Sequence, residues 1–254
     1  METLDLCIRK VREYVEEKRK DGRLIREMIC PETIEEFVAD LPIRIGEEAG
    51  PKVILKEDTF VELGNPSIVG CSFVLWTNDL SLVKEGQITL LGPCIQEACG
   101  KSLPFGQIIL IAGAMLREED HLDLEKAQYM ILEEIEGYMI RSVPRRMWTR
   151  VSNEAGGKGF SFENLGRALM AILRSKLPSV EALEVLFVTS NKEDVEELDS
   201  IAVEVEKVTN WFRKLKRSED GIYECTADDC DDCPEKTVCD TVREVRVLRK
   251  QKAS

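Results

Sequence analysis

The chain has 254 residues, 43% hydrophobic and 33% charged, enough to bury a substantial core and too apolar to be disordered. Its formal net charge of −13 excludes general nucleic-acid binding, which needs a basic face, while permitting a basic protein partner. There is no run of about 18 apolar residues to span a membrane, and Met1-Glu2-Thr3-Leu4-Asp5 lacks the basic and apolar regions of a signal peptide, so a cytoplasmic location is expected.

Residues 3–29 read as a helix, with Leu4, Ile8, Val11 and Val15 recurring at three- and four-residue steps. The basic run Lys18, Arg19, Lys20, Arg23 and Arg26 reads as its solvated face. Pro31 opens a second helix that ends near Leu41 and Pro42. From 52 to 114 the pattern is that of short strands: Val53–Leu55, Phe60–Leu63, Ser72–Trp76, Gln87–Leu91 and Gln107–Ile111. Glycine- and proline-containing turns at 64–66, 85–86 and 92–93 separate them. Trp76 and Phe73 are expected in the core.

The second half alternates helix and strand. A helix is expected over 120–140, with Asp120 as N-cap and Leu124, Ala127, Met130, Ile131 and Ile135 along one side. A strand follows at 147–151, then a glycine-rich turn at 155–159. Ser161 caps a helix that ends at Lys176, Pro178 stops it, and a strand runs over 183–188. A long helix is expected over 192–217, and Val242–Leu248 alternates like an edge strand. Such alternation predicts an α/β fold, a sheet with packed helices. The expected organisation is a helical extension at 1–50, an α/β domain at 51–220 and a cysteine-rich segment at 221–254.

That last segment carries the strongest chemical signal. Cys225, Cys230, Cys233 and Cys239 are spaced C-x4-C-x2-C-x5-C. Thiolates this dense select soft metals, and four of them fit one tetrahedral zinc or one [4Fe–4S] cluster. Asp228, Asp229, Asp231 and Asp232 beside them favour a dication and lower a cluster's potential, so they do not discriminate. The other cysteines, Cys7, Cys30, Cys71, Cys94 and Cys99, are expected to be small core hydrophobes.

A second signal is basic. Arg141, Arg145, Arg146 and Arg150 surround Trp148 with no acidic residue among them in sequence. Guanidinium groups bind phosphates bidentately and stack on indole, so an anion site competes here with a helix end beside a core tryptophan. Gly156-Gly157-Lys158-Gly159 lacks P-loop spacing and reads as an ordinary turn. His121, the only histidine, follows Glu118, Glu119 and Asp120 and reads as a solvated helix start, which leaves no basis for a Ser-His-Asp site or a zinc hydrolase.

The chain resembles the beta subunit of acetyl-CoA synthase (decarbonylase/synthase) of the carbon monoxide dehydrogenase complex. The resemblance is carried in order by Phe60-Val61-Glu62-Leu63-Gly64-x-Pro66, Glu85-Gly86, Leu91-Gly92-Pro93, Trp148-Thr149-Arg150-Val151-Ser152 and Lys158-Gly159-Phe160. It continues through Leu165-Gly166-Arg167-Ala168, Leu177-Pro178-Ser179-Val180, Tyr223-x-Cys225 and Thr237-Val238-Cys239. It implies the middle-domain α/β fold of that family over roughly 50–240. In the family a [4Fe–4S] cluster, bridged through a cysteine sulfur to two nickels, joins carbon monoxide, a corrinoid-delivered methyl group and coenzyme A.

The resemblance makes Cys225 and Cys239 cluster ligands and Cys230 the bridging one, at a longer spacing than the family's. Where the family's fourth ligand stands, this sequence reads Arg246-Val247-Leu248-Arg249, and Cys233 is the substitute. It favours the iron–sulfur cluster over zinc. The Cys-Gly-Cys that holds the distal nickel in the family does not occur in these 254 residues, so nickel is not expected. The large amino-terminal domain of bacterial members is likewise not among them.

The resemblance also assigns Arg141, Arg145, Arg146, Trp148 and Arg150 to coenzyme A. The expected role is an electron-transfer or docking accessory. Its partner is a corrinoid iron–sulfur protein, another corrinoid protein, or a carbon monoxide dehydrogenase/acetyl-CoA synthase component. The alternatives are acyl or methyl transfer completed by a partner chain, and a zinc-stabilised binding module.

Overall fold

The computed structural model describes residues 2–30, 41–46, 49, 53–132, 134–140, 146–209, 215–217 and 223–225. The chain divides into two compact units, Met1–Phe212 and Arg213–Ser254. In the second, strands β10 (Leu215–Arg217) and β11 (Tyr223–Cys225) pair antiparallel.

The first unit is α/β, built on a five-stranded mixed sheet. Its strands are β1 (Ile25–Ile29), β3 (Gly70–Thr77), β4 (Gln87–Leu91), β6 (Phe105–Ala112) and β9 (Ala182–Val188), in the order β1-β4-β9-β6-β3. β4–β9 and β6–β3 are parallel pairs, and β1–β4 and β9–β6 antiparallel. β3, β6 and β9 are buried along their whole length, hence their near-continuous apolar sequences.

Helices cover both faces. On one lie α1 (Glu2–Lys20) and α5 (Lys192–Thr209); on the other, α2 (His121–Leu132) and α4 (Phe162–Lys176). α1 buries Leu4, Cys7, Ile8, Val11 and Tyr14, one stripe at helical spacing. α4 starts at a reciprocal cap, in which Asn164 N–H donates to Ser161 Oγ (3.1 Å) and Ser161 N–H to Asn164 Oδ1 (3.0 Å). Its Phe162 meets Phe105 and Phe187 with ring centroids 6.0 and 5.0 Å away. Gly166 lets the helix sit against Ile88, where an added Cβ would come within 2.6 Å.

A second, four-stranded sheet has the order β5-β2-β8-β7, from β2 (Thr59–Leu63), β5 (Ser102–Leu103), β7 (Tyr138–Ile140) and β8 (Thr149–Ser152). The short helix α3 (Asn153–Gly157) follows β8, and Ser152 caps it by accepting from Ala155 N–H.

Several expectations change. Residues 25–29 are strand, not helix, because the turn at Gly22, with φ +77°, ends α1 at Lys20. Val53–Leu55 forms no strand; Ile54 is held instead by its N–H, which donates to the Met139 sulfur, and its carbonyl, which accepts from Arg150. The helix expected over 120–140 stops at Leu132, and β7 takes up its end. The glycine-rich turn forms α3, and of the helix expected over 192–217 the structure describes Lys192–Thr209 as helix and 215–217 as strand β10.

The basic run is paired rather than merely solvated. Lys18 and Arg23 lie 3.3 and 3.2 Å from the buried Asp194, Arg19 reaches Glu27 and Arg26 reaches Glu97. His121 is buried, since a short 3-10 turn (Glu118–Asp120) carries the acidic residues and α2 starts at the histidine. Cys7, Cys30 and Cys71 are buried as expected, but Cys94 is half-buried and Cys99 exposed beside the Gly100 turn. The helix expected after Pro31 and the strand at 242–248 lie outside the described residues. Trp76 and Phe73 are both in the core, as expected.

Candidate functional site

Glu62 is the hub of a polar row across the four-stranded sheet. Strand register sets Ser102 of β5 opposite Glu62 of β2, Glu62 opposite Arg150 of β8, and Arg150 opposite Met139 of β7. Side chains that are cross-strand partners share a face, and Trp148, two residues before Arg150, shares it too. The geometry follows: Trp148 Nε1–H donates to Glu62 Oε1 at 3.0 Å and Arg150 Nε–H to the same oxygen at 2.9 Å. Asn65 Nδ2–H donates to Oε2 at 2.6 Å, and Ser102 Oγ–H at 3.2 Å. Arg150 Nη1–H also reaches the Ile54 carbonyl at 3.1 Å, and the guanidinium carbon lies 5.4 Å from the Trp148 ring centroid.

The Glu62 and Arg150 side chains are only 12% and 9% exposed, and Trp148 is half-buried. Burial alone raises the Glu62 carboxyl pKa. The bonds from Asn65, Arg150, Trp148 and Ser102 outweigh it and hold the group below the usual carboxylate range.

The backbone beneath Trp148 is equally constrained. A Cβ built on Gly64 would stand 2.0 Å from the Met147 carbonyl oxygen, and one on Gly70 2.2 Å from it. The Cα–H groups of two glycines, at the end of β2 and the start of β3, thus close on the residue preceding Trp148.

Of the residues read as an anion site, the structure brings Trp148 and Arg150 together and joins them to Glu62. Arg146 is exposed, and Arg141 and Arg145 lie outside the described residues. Glu62 was missed because it is remote in sequence. The signal was available: β2 and β8 both alternate, and pairing them antiparallel sets a glutamate opposite an arginine.

In the glycine-rich segment, Lys158 Nζ lies 3.0 Å from Glu136 and 2.8 Å from Glu154. The expected metal ligands fall mostly beyond description. Cys225 closes β11, and Cys230, Cys233 and Cys239 lie outside the described residues. Among the described residues no group of three or more His, Cys, Asp or Glu is placed to hold a metal ion, and no helix is long and apolar enough to cross a membrane.

Residues 41–195 match the family model described as CO dehydrogenase/acetyl-CoA synthase complex beta subunit. Three similar curated relatives are archaeal. The acetyl-CoA decarbonylase/synthase complex subunit beta 1 of Methanosarcina thermophila is 30% identical over 192 residues, covering 74% of this chain and 40% of the relative. The corresponding beta subunits of Methanothermobacter thermautotrophicus and Archaeoglobus fulgidus are 28% and 31% identical. They cover 73% and 72% of this chain and 40% and 34% of their own lengths. The chain therefore spans well under half the length of these relatives.

Proposed function

We propose a function from a family premise: this chain belongs to the CO dehydrogenase/acetyl-CoA synthase complex beta subunit family. It is an iron–sulfur component of such a complex, working in corrinoid and one-carbon metabolism. Cys225, Cys230, Cys233 and Cys239 hold a [4Fe–4S] cluster. The α/β unit docks a corrinoid protein or another component of the complex, and the cluster supplies one-electron transfer.

The observation that carries this reading is the set of four cysteines within fifteen residues in a chain of this family. Their chemistry fits the group, because four thiolates complete the ligand set of one cluster without a contribution from another chain. The net charge of −13 suits docking to a basic partner surface.

A second reading, coenzyme A binding in support of acyl transfer, is favoured by the held indole of Trp148 beside the exposed Arg146. Arg141 and Arg145 add positive charge in the same stretch of chain. Coenzyme A offers an adenine ring and three phosphates to such a surface.

Four single Cys→Ser variants, purified without oxygen and analysed for iron, test the first reading. Each of Cys225→Ser, Cys230→Ser, Cys233→Ser and Cys239→Ser is expected to lower iron per chain, while Cys99→Ser leaves it unchanged. Equal iron in all five overturns the assignment.

A further inference from the structure

We infer that α2 is fastened to the main sheet by an internal water-binding site built from Ser72, Gln107 and Gln128. The three side chains come from β3, β6 and α2 and are sealed from solvent: Gln107 and Gln128 are 0% exposed and Ser72 2%. Register sets Gln107 beside Ser72 on one side and beside Phe187 of β9 on the other, so these three share one face of the sheet. Phe187 packs there on Phe162 of α4, with ring centroids 5.0 Å apart, so it is the face that α2 and α4 cover. Ser72 Oγ–H donates to Gln128 Oε1 at 2.9 Å, which brings the carboxamide of the helix down onto the same face.

Protein groups do not satisfy this cluster. Among the described residues, neither Nε2 nor Oε1 of Gln107 has a hydrogen-bond partner, and neither has Gln128 Nε2. The surroundings explain why. β6 pairs along both of its edges, so the backbone beside Gln107 is committed to the ladders. Toward β9 stand the rings of Phe105, Phe162 and Phe187, which offer no polar atom. Burying a carboxamide without hydrogen bonds is strongly unfavourable. Each carboxamide brings two N–H donors, and the oxygens of Gln107 and Ser72 are the acceptors still free to receive. None of the three side chains is charged, so the ligand that completes them is neutral. It must both donate and accept, and be small enough to be enclosed; water meets all three conditions. Through it Gln107 of the sheet is bridged to Gln128 of the helix.

Two readouts on the full chain test the site. The first is NMR cross-relaxation between water and the side-chain N–H protons of isotopically labelled glutamine, with the signals of Gln107 and Gln128 identified by their loss in Gln107→Met and Gln128→Met. Dipolar transfer from water to both carboxamides is expected, with the sign of a long-lived bound molecule and not that of proton exchange. Absence of this transfer at Gln107 overturns the inference.

The second is amide hydrogen exchange across α2, read by mass spectrometry. In Gln107→Met the bridge loses one arm and the Gln128 N–H groups are stranded, so exchange in α2 should rise about tenfold over the wild type, the scale of one stranded buried polar group. Ser72→Ala/Gln107→Met/Gln128→Met replaces the whole cluster with apolar groups and should return exchange to within about threefold of the wild type. A Gln107 carboxamide with no bound water would instead weaken the closed state, and its removal would slow exchange. Slower or unchanged exchange in Gln107→Met therefore overturns the inference. If that variant does not fold, the wild-type NMR measurement decides alone.

Discussion

Three glycine-to-alanine substitutions separate the two reasons a glycine is needed, and only one of those reasons concerns the site. Gly22 has φ +77° and open space around it, so Gly22→Ala meets only left-handed backbone strain. Gly70 has no such φ, but its Cβ would stand 2.2 Å from the Met147 carbonyl oxygen; Gly64 combines φ +66° with an approach of 2.0 Å to the same oxygen. Strain costs a non-glycine residue about 1–2 kcal/mol. Ordinary carbon–oxygen contact needs a separation of at least about 3.2 Å, so the carbonyl must retreat by about 1 Å in either contact variant. Overpacking of this kind costs about 1–3 kcal/mol, occasionally more.

The expected losses are therefore about 1 kcal/mol for Gly22→Ala, about 2–3 for Gly70→Ala and about 3–5 for Gly64→Ala. Urea unfolding followed by circular dichroism measures all three. Because the displaced carbonyl precedes Trp148, the two contact variants should also shift tryptophan emission in the native state, and Gly22→Ala should not. Equal losses in all three, or unchanged emission in Gly64→Ala, would refute the claim that this crossing point sets the position of Trp148.

In the main sheet, Arg12 of α1 makes a two-pronged ion pair with Glu184, whose side chain is 3% exposed. Arg12→Leu strands a buried carboxylate and should cost about 3–5 kcal/mol in urea unfolding, while the Arg12→Leu/Glu184→Leu double variant regains most of it. Glu62 has its pKa lowered in the fold, so its contribution is complete above the unfolded value of about 4.5 and is lost as pH falls through the folded one. Stability measured from pH 7 down to about 3 should therefore fall less in Glu62→Gln than in the wild type; parallel curves would contradict this. Among the five cysteines of the first unit, alkylation at pH 8 with mapping by mass spectrometry should modify Cys99 first and Cys94 next. Cys7, Cys30 and Cys71 should react at least about tenfold more slowly. Burial is the main cause for the two with raised pKa, Cys7 and Cys30, the latter pushed up to about 11 despite the nearby Arg167. Rapid labelling of Cys30 would contradict its burial after β1.

Strands β3, β4, β6 and β9 were legible because each is a short apolar run between turns, and α4 because Ser161 and Pro178 mark its ends. β1 was not, since Ile25–Ile29 continues the spacing of α1 and only the left-handed Gly22 breaks it. β5 has two residues and β7 three, too short for any period to show. His121 misled because its acidic neighbours suggested solvent, whereas the helix turns the histidine inward. In the site, Trp148 and Arg150 stood out as a basic, aromatic stretch. Glu62 completes them only through strand register, which fixes long-range pairing and leaves no local trace. The cysteine spacing suggests a metal motif in the sequence, and three of its four cysteines lie outside the described residues.

Metal analysis with optical spectroscopy bears on the central claim most directly. The protein would be purified under strict exclusion of oxygen, assayed for iron, nickel and zinc, and its absorption recorded before and after dithionite. About four irons per chain, with a broad band near about 400 nm that bleaches on reduction, is the predicted result. One zinc per chain and no visible absorption would contradict the iron–sulfur assignment and leave a zinc-stabilised module on the family's α/β fold.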